Sequence, residues 1–226
     1  MNKNSKKQEF ICKIEHMILS GRLKAGDKLP TERELTEQFS TSRTVVNAAL
    51  AELALKGFIQ VVPRKYTMVA DYKRLGTIAT LESIMNFNDE KMDYELLDNV
   101  LDARALIEIE SVRLASLNAD KNDICALKRI CQNQQQTTDI DELKELDFKF
   151  HHCIAVAGKN AVYPLIYKSF KPMAQRCLDL FYTNLKNLDT IRNYHKDILA
   201  AIENHNASLA QSIMSEMLEQ GKSAIL

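Results

Sequence analysis

Two helical patterns separated by small polar residues occupy residues 31–58, which read TERELTEQFSTSRTVVNAALAELALKGF. The first opens on Thr31 with Glu34 three residues on, the capping-box pattern in which each side chain accepts a hydrogen bond from the other residue's backbone N–H. The second opens on Ser42, a favoured N-cap residue, and carries an apolar stripe until Gly57. We therefore predict a short helix, a tight turn and a longer helix.

The flanking residues add one helix before this pair and a β-hairpin after it. Apolar residues recur at helical spacing over residues 8–20. Residues 58–62 (FIQVV) and 67–70 (TMVA) are typical of strands, and residues 63–66 (PRKY) are typical of the turn between them. The resulting order of helix, helix, turn, helix and hairpin is that of a winged helix-turn-helix.

The charge distribution favours contact with nucleic acid in this N-terminal part alone. The whole chain has 30 basic and 30 acidic residues and no net charge. Residues 1–70 hold twelve Lys and Arg against seven Asp and Glu, whereas residues 71–226 hold eighteen against twenty-three. A basic segment followed by an acidic one suggests that only the first lies against phosphate.

The second helix of a helix-turn-helix lies in the major groove of DNA, with its first turn at the base edges. The candidate DNA contacts are polar residues at the starts of the two helices and at the hairpin tip, namely Arg33, Ser42, Arg43, Thr44, Asn47, Arg64 and Lys65. Arg43 and Asn47 stand four residues apart on one helix face, and such side chains pair in bidentate fashion with guanine and adenine. Singly, each residue is an ordinary surface group, but the combination predicts binding to double-stranded operator DNA.

The same residues carry a family resemblance. Residues 21–35 (GRLKAGDKLPTEREL), 42–50 (SRTVVNAAL) and 53–57 (LALKG) resemble the operator-binding domain of the GntR family of bacterial transcription regulators. Two features depart from the family pattern: Asn47 stands where arginine is usual, and the hairpin tip lacks the usual glycine. The resemblance implies the fold, whereas the departures leave the operator sequence open. Because two recognition helices on symmetric half-sites require two copies, we expect a homodimer.

After the hairpin the sequence predicts helices only. Helical patterns run at residues 76–87, 93–118, 121–136, 139–158, 160–184, 188–204 and 206–223. Pro164 suits the first turn of its helix, and Pro172 is expected to kink or split that helix. We expect a mostly α chain with a winged helix-turn-helix at 1–72, a linker and first effector-domain helix at 73–90, and an all-α helical bundle for effector binding and dimerisation at 91–226.

Two titratable residues in this bundle, Asp147 and His151, are four apart and share a helix face. Residues 90–220 around them resemble the FadR-type effector domain of the same family. The resemblance implies that an Asp, a His and two later His residues hold a divalent metal. His195 matches the first of the later pair, but the second position is Met217, whose thioether is a poor ligand for zinc, nickel or manganese. Three ligands would leave open positions for water or an effector carboxylate.

Arg104 is the remaining candidate for the effector site. Its planar guanidinium either pairs with an effector carboxylate or forms an ordinary surface salt bridge with Glu108. Asp147 and His195 also have an alternative role as a buried polar pair, because the acyl-CoA-binding members of this group have no working metal site. The expected effector is therefore a carboxylate such as a sugar acid, or an acyl-CoA.

Two other classes of function compete with gene regulation. A helical metal-site enzyme would use Asp147, His151 and His195, but no Gly-rich phosphate loop, HExxH or GxSxG motif accompanies them. An architectural DNA-binding protein needs no effector domain, whereas the predicted bundle is nearly twice as long as the DNA-binding part. We expect a regulator without catalytic activity, and a repressor rather than an activator.

The remaining composition is ordinary. Five cysteines without a CxxC spacing are typical of reduced thiols. No run of about 18 apolar residues indicates a membrane span, and no apolar segment follows the basic first residues as a secretory signal requires. The polar tract QNQQQ at 132–136 is expected to end a helix rather than to form a site. These observations predict a cytoplasmic protein without a membrane partner.

Overall fold

The computed structural model describes residues 6–63, 65–87, 94–182 and 188–226. Contacts between residues divide the chain into two compact units, Met1–Met92 and Asp93–Leu226. None of the described helices is long and apolar enough to cross a membrane.

The N-terminal unit contains the predicted winged helix-turn-helix. Its elements are α1 (Lys6–Leu19), α2 (Glu32–Gln38), α3 (Arg43–Leu55), β1 (Ile59–Val62), β2 (Tyr66–Val69), α4 (Tyr72–Leu75) and α5 (Ile78–Phe87). The two strands pair antiparallel. Thr31 and Glu34 form the capping box at α2, and the Ser42 hydroxyl oxygen accepts from the N–H of Val45 at α3. The order of elements and both helix starts are therefore confirmed.

An apolar cluster of described residues holds this unit together. It joins α1, α2, α3 and the hairpin through Phe10, Ile11, Ile14, Ile18, Leu35, Val46, Ala49, Leu50, Leu53, Phe58, Ile59 and Val69. Burial of each large apolar side chain contributes about 1.5–3 kcal/mol. Because the stripe on α3 is buried in this cluster, the polar residues at the start of α3 point away from the core.

Helix α5 packs on α1 within the N-terminal unit. Lys56 Nζ lies 2.8 Å from Glu15 Oε1, and the Ser83 hydroxyl on α5 donates to the same carboxylate at 3.0 Å. The sequence predicts instead that residues 73–90 are a linker and the first effector-domain helix. Contacts divide the chain only after Met92, so the boundaries at 72 and 90 stay predictions.

The C-terminal unit is helical in the parts that the structure describes. Its elements are α6 (Tyr94–Asn118), α7 (Lys121–Gln136), α8 (Ile140–Ala157), α9 (Tyr163–Ser169), α10 (Lys171–Tyr182), α11 (Leu188–Glu203) and α12 (Ala207–Ile225). Pro164 lies in the first turn of α9, as predicted, and Pro172 lies in the first turn of α10. The single helix predicted at 160–184 is therefore two helices, because proline is tolerated in a first turn but breaks a helix interior.

Helix α8 is central in this bundle and contacts α6, α7, α9 and α10, while α12 packs on α6 and α11. The main apolar cluster includes Val112, Leu127, Phe150, Ile154, Ile198, Ile202 and Met214. Asp147 and His151 on α8 and His195 on α11 are buried in the same unit. The bundle thus places three polar side chains where water is scarce, which is costly unless each has a partner.

Candidate functional site

The start of α3 presents a polar face. Arg43, Thr44 and Asn47 are all exposed. Ser42 Oγ accepts from the Val45 N–H at 3.3 Å, which leaves its own hydroxyl proton able to donate to a phosphate oxygen. The first turn of α3 therefore combines backbone donors with side chains of the types that contact base edges.

Two arginines near this face form exposed ion pairs. Arg43 Nε lies 3.1 Å from Glu32 Oε2, and the Arg43 side chain is 80% exposed. Arg33 Nε lies 3.8 Å from Glu37 Oε1, and its side chain is 87% exposed. Exposed pairs contribute at most about 1 kcal/mol, so either arginine can exchange its carboxylate for a phosphate or a base.

The hairpin approaches the same region. One groove is lined by Arg33, Arg43 and Lys65, together with Thr67 of β2. Lys65 is exposed at the hairpin tip, whereas Arg64 lies outside the described residues. The structure thus brings three of the predicted DNA contacts to one groove, although none of them is adjacent to another in sequence.

The second candidate site is the buried polar cluster of the bundle. Asp147, His151 and His195 are 3%, 2% and 0% exposed. One ligand atom from each lies within 4.8 Å of the other two. His151 Nε2 is 3.9 Å from Asp147 Oδ1, and His195 Nε2 is 3.8 Å from Asp147 Oδ2. These separations are too long for hydrogen bonds but suit atoms that each bond a common ion at about 2 Å.

Outer partners orient both imidazole rings. His195 Nδ1 lies 2.9 Å from Gln134 Oε1, and since an amide oxygen only accepts, Nδ1 carries the proton and Nε2 offers a lone pair beside Asp147. His151 Nδ1 contacts the Glu108 carboxylate. A carboxylate or amide behind each ring is the usual arrangement around metal-bound histidines. Sequence reasoning missed Gln134 because it lies in the tract assigned to a helix end.

Arg104 and Glu108 form an ion pair on α6, and it is a buried pair rather than the surface bridge that the sequence leaves open. Their side chains are 12% and 2% exposed. Burial on its own raises the pKa of Glu108, but Arg104 and His151 lower that pKa to about 2. Glu108 is therefore a carboxylate at neutral pH, and it links Arg104 to His151.

Burial is the largest influence on the pKa values of two candidate ligands, Asp147 and His195. Burial raises the pKa of Asp147, and the nearby His151 and Arg104 offset part of that rise. Burial lowers the pKa of His195 well below its usual range, and His151 and Arg104 lower it further. His195 is therefore neutral, which is the form of imidazole that binds metals.

The chemistry of this cluster fits a divalent cation. Among the described residues, the buried Nε2 of His195 has no hydrogen-bond partner. Buried polar atoms without partners are rare in proteins. Two imidazole nitrogens and one carboxylate oxygen form a donor set that suits a divalent metal ion. Met217 is buried and lines the same cavity, so it adds a thioether but no strong fourth ligand.

The cluster opens on a cavity of about 100 Å³ between α6, α8, α10, α11 and α12. Arg104, Asp147 and His151 line it, and Met217 of α12 lines it as well. Since about 10–15 Å³ is enough to hold one water molecule, the cavity has room for a small ligand. A winged helix-turn-helix and a helical domain with such a cavity define a DNA-binding regulator with an effector domain.

Comparison with known families identifies the class more closely. Residues 6–69 match the family model for bacterial regulatory proteins of the gntR family, and residues 99–220 match the model for the FCD domain. The chain belongs to the GntR family of bacterial regulators, in the group that carries an FCD domain. The members of this family are transcription regulators, so this chain is a regulator and not an enzyme.

Individual relatives agree with this assignment. A fatty acid metabolism regulator protein of Shewanella oneidensis is 27% identical over 194 residues, which cover 85% of this chain and 79% of that protein. The Uxu operon regulator of Haemophilus influenzae is 30% identical over 220 residues, which cover 92% of this chain and 77% of that one. Among solved structures, Lar of Listeria monocytogenes has a TM-score of 0.68 at 13% identity and covers 100% of this chain and 98% of its own. The last likeness concerns the fold alone.

Proposed function

We propose that this regulator binds its operator as a homodimer through the start of α3, and that a small carboxylate bound in the C-terminal cavity controls its affinity for that operator. The observation that carries the proposal is the pairing of two features in one chain. One is an exposed polar face on a well-packed recognition helix, and the other is a buried donor cluster that opens on a cavity.

The residues at the DNA face have different roles. Arg43 and Asn47 read base edges, because both are exposed one turn apart on α3. Ser42, Thr44 and Arg33 contact phosphates. Lys65, at the hairpin tip, contacts a phosphate beside the neighbouring groove, and Arg64 stays a contact predicted from the sequence. The list of contacts thus separates side chains that select a sequence from side chains that supply affinity for any DNA.

Arg104 supplies the cationic side chain of the proposed effector site. Arg104 offers a planar set of N–H donors, of which Glu108 takes the one on Nε. Asp147, His151 and His195 would hold a divalent cation, which would supply positive charge for an anionic ligand. The names of the two relatives, which concern fatty acid metabolism and the Uxu operon, support control by a metabolic acid.

Control requires a difference in affinity. The effector changes operator binding only if it binds the DNA-competent and DNA-free arrangements of the dimer unequally. We expect the acid to release the operator and the DNA-bound protein to repress transcription, as predicted from the sequence. Because the operator is chromosomal DNA, we place the protein in the bacterial cytoplasm.

The proposal is tested on a duplex selected by the purified full chain from a random library. We expect native mass spectrometry to find two chains per duplex, and fluorescence anisotropy to give an affinity that falls steeply with salt. Addition of Zn²⁺ with hexanoate or gluconate then changes that affinity by at least fivefold. Selection without enrichment would contradict the DNA assignment, and an affinity that no acid changes would contradict effector control.

A further inference from the structure

The segment at residues 26–29 runs beside β2, although it precedes the helix-turn-helix in the chain. The Leu29 N–H donates to the carbonyl oxygen of Thr67 at 2.9 Å. Lys28 and Met68 form an antiparallel β-bridge. Because neighbouring strands lie about 4.7–4.9 Å apart, the backbone of Lys28 lies one strand spacing from the hairpin.

The side chain of Lys28 lies on an aromatic ring of that hairpin. Lys28 is exposed, whereas the next residue, Leu29, is buried in the core of the unit. Lys28 Nζ lies over the Tyr66 ring, 4.7 Å from the ring centroid. The neighbouring Asp27 carboxylate accepts instead from the backbone N–H of Lys24 at 2.8 Å. The segment and the ring together therefore fix a positive charge beside β2.

Tyr66 connects this charge to the proposed DNA face. It is the first residue of β2 and is 39% exposed. It lines the groove that also contains Arg33, Arg43 and Lys65. Glu32 is the acidic residue of that lining in the described part of the chain, and it pairs with Arg43. The ammonium group of Lys28 thus lies next to a groove whose charged lining is mainly basic.

A lysine in this place suits a phosphate better than a base edge. Its ammonium group is a point charge on a flexible stem, whereas base reading favours a planar set of donors. A DNA duplex carries one negative charge per about 1.7 Å of its axis, so a cation one strand spacing from a DNA contact also meets phosphate. A ring beneath the ammonium group limits its freedom before DNA binds, which lowers the entropy lost on binding.

We infer that Lys28 binds a phosphate of the operator and that the Tyr66 ring positions the Lys28 ammonium group for this contact. The ligand is the DNA backbone, so the pair adds affinity for any duplex and does not select a sequence. This inference rests on the proposed DNA face and extends it to a segment that precedes the helix-turn-helix.

Lys28→Gln tests the phosphate contact by fluorescence anisotropy at several salt concentrations, on the duplex that the wild type selects. We expect the variant to raise Kd at least about fivefold and to lower the slope of log affinity against log salt by about two units per dimer. Lys28→Arg keeps the cation and should restore both values to about those of the wild type. Library selection with Lys28→Gln should enrich the same sequence as the wild type.

Lys13→Gln is the matched control. Lys13 is also an exposed lysine over an aromatic ring, since its Nζ lies 5.7 Å from the Phe39 ring centroid. It lies on α1, however, and pairs with Glu9 at 2.8 Å. Its substitution should leave both the affinity and the salt slope at about the wild-type values.

Two substitutions of Tyr66 test the positioning role. Tyr66→Phe keeps the ring under the ammonium group and should bind DNA with about the wild-type affinity. Tyr66→Leu removes the ring and should weaken binding by about threefold or more. In the Tyr66→Leu background, Lys28→Gln should have a smaller effect than in the wild type, because the two residues act together.

Three results would overturn the inference. An unchanged salt slope in Lys28→Gln would show that Lys28 meets no phosphate. A changed sequence preference in that variant would assign Lys28 to base reading. Equal affinities for Tyr66→Leu and Tyr66→Phe would show that the ring does not position the cation. If the wild type selects no duplex, the proposed DNA face fails together with this extension of it.

Discussion

The Nδ1 atom of His195 on α11 lies 2.9 Å from the Oε1 atom of Gln134 on α7, and both side chains are buried. This contact fixes which ring nitrogen carries the proton. It leaves Nε2 as a lone pair 3.8 Å from Asp147 Oδ2. Gln134 therefore orients the His195 ring so that its Nε2 atom can bind a ligand beside Asp147.

Gln134→Leu should weaken divalent metal binding by about 10–100-fold, because the ring of His195 loses the acceptor that orients it. The measurement is a zinc titration with a competing chelator. Gln134→Glu serves as the control, since its carboxylate keeps an acceptor at the same place. The positioning role is wrong if Gln134→Leu binds zinc as tightly as the wild type while remaining folded.

Removal of metal should lower the stability of the C-terminal bundle. A cation present at 100 times its Kd stabilises the folded state by about 2.7 kcal/mol, so a chelator should lower the melting temperature measurably. His195→Ala should make that melting temperature insensitive to both metal and chelator. The same variant should retain operator affinity but respond less to effector. A variant that fails to fold with or without metal would instead support a packing role for His195.

The sequence predicts the DNA-binding unit better than it predicts the effector site, and the reason is distance along the chain. The helix caps at Thr31 and Ser42 are each patterns of four residues. The apolar stripe on α3 extends over a few helical turns, so all three patterns are local in sequence. Asp147 and His151 are likewise one turn apart on α8. The partnership of His195 with Gln134 joins residues 61 positions apart, so no local pattern indicates it.

Burial is the second property that spacing does not reveal. Arg104 and Glu108 are four residues apart, and the same spacing serves an exposed bridge or a buried one. The packing of α5 on α1 includes a hydrogen bond between Ser83 and Glu15, which are 68 positions apart. Pro172 indicates that the helical pattern at 160–184 is interrupted. Proline alone does not distinguish one kinked helix from two separate helices.

Asn47→Arg should change which base the regulator prefers. Asparagine pairs with adenine in bidentate fashion, whereas arginine pairs with guanine, and each such pair discriminates by about 1–3 kcal/mol. Library selection with the variant should therefore enrich guanine where the wild type enriches adenine, at one position in each half-site. Identical selected sequences for the two proteins would show that Asn47 does not read a base.

Lys65→Ala should weaken binding to all duplexes by a similar factor, because a lysine at the hairpin tip contacts phosphate rather than a base. The plot of log affinity against log salt concentration should lose about one unit of slope for each phosphate contact removed, or about two per dimer. A loss confined to some sequences would assign Lys65 to base reading instead.

The most direct measurement is the operator affinity of Arg43→Ala, compared with that of Arg74→Ala by fluorescence anisotropy on the duplex that the wild type selects. Both arginines are exposed and form exposed ion pairs, but Arg74 lies on α4 rather than on the recognition helix. We predict that Arg43→Ala raises Kd at least tenfold, as expected for a lost base contact, and that Arg74→Ala changes Kd less than threefold. Equal affinities for Arg43→Ala and the wild type would contradict the assignment of α3 as the helix that reads DNA.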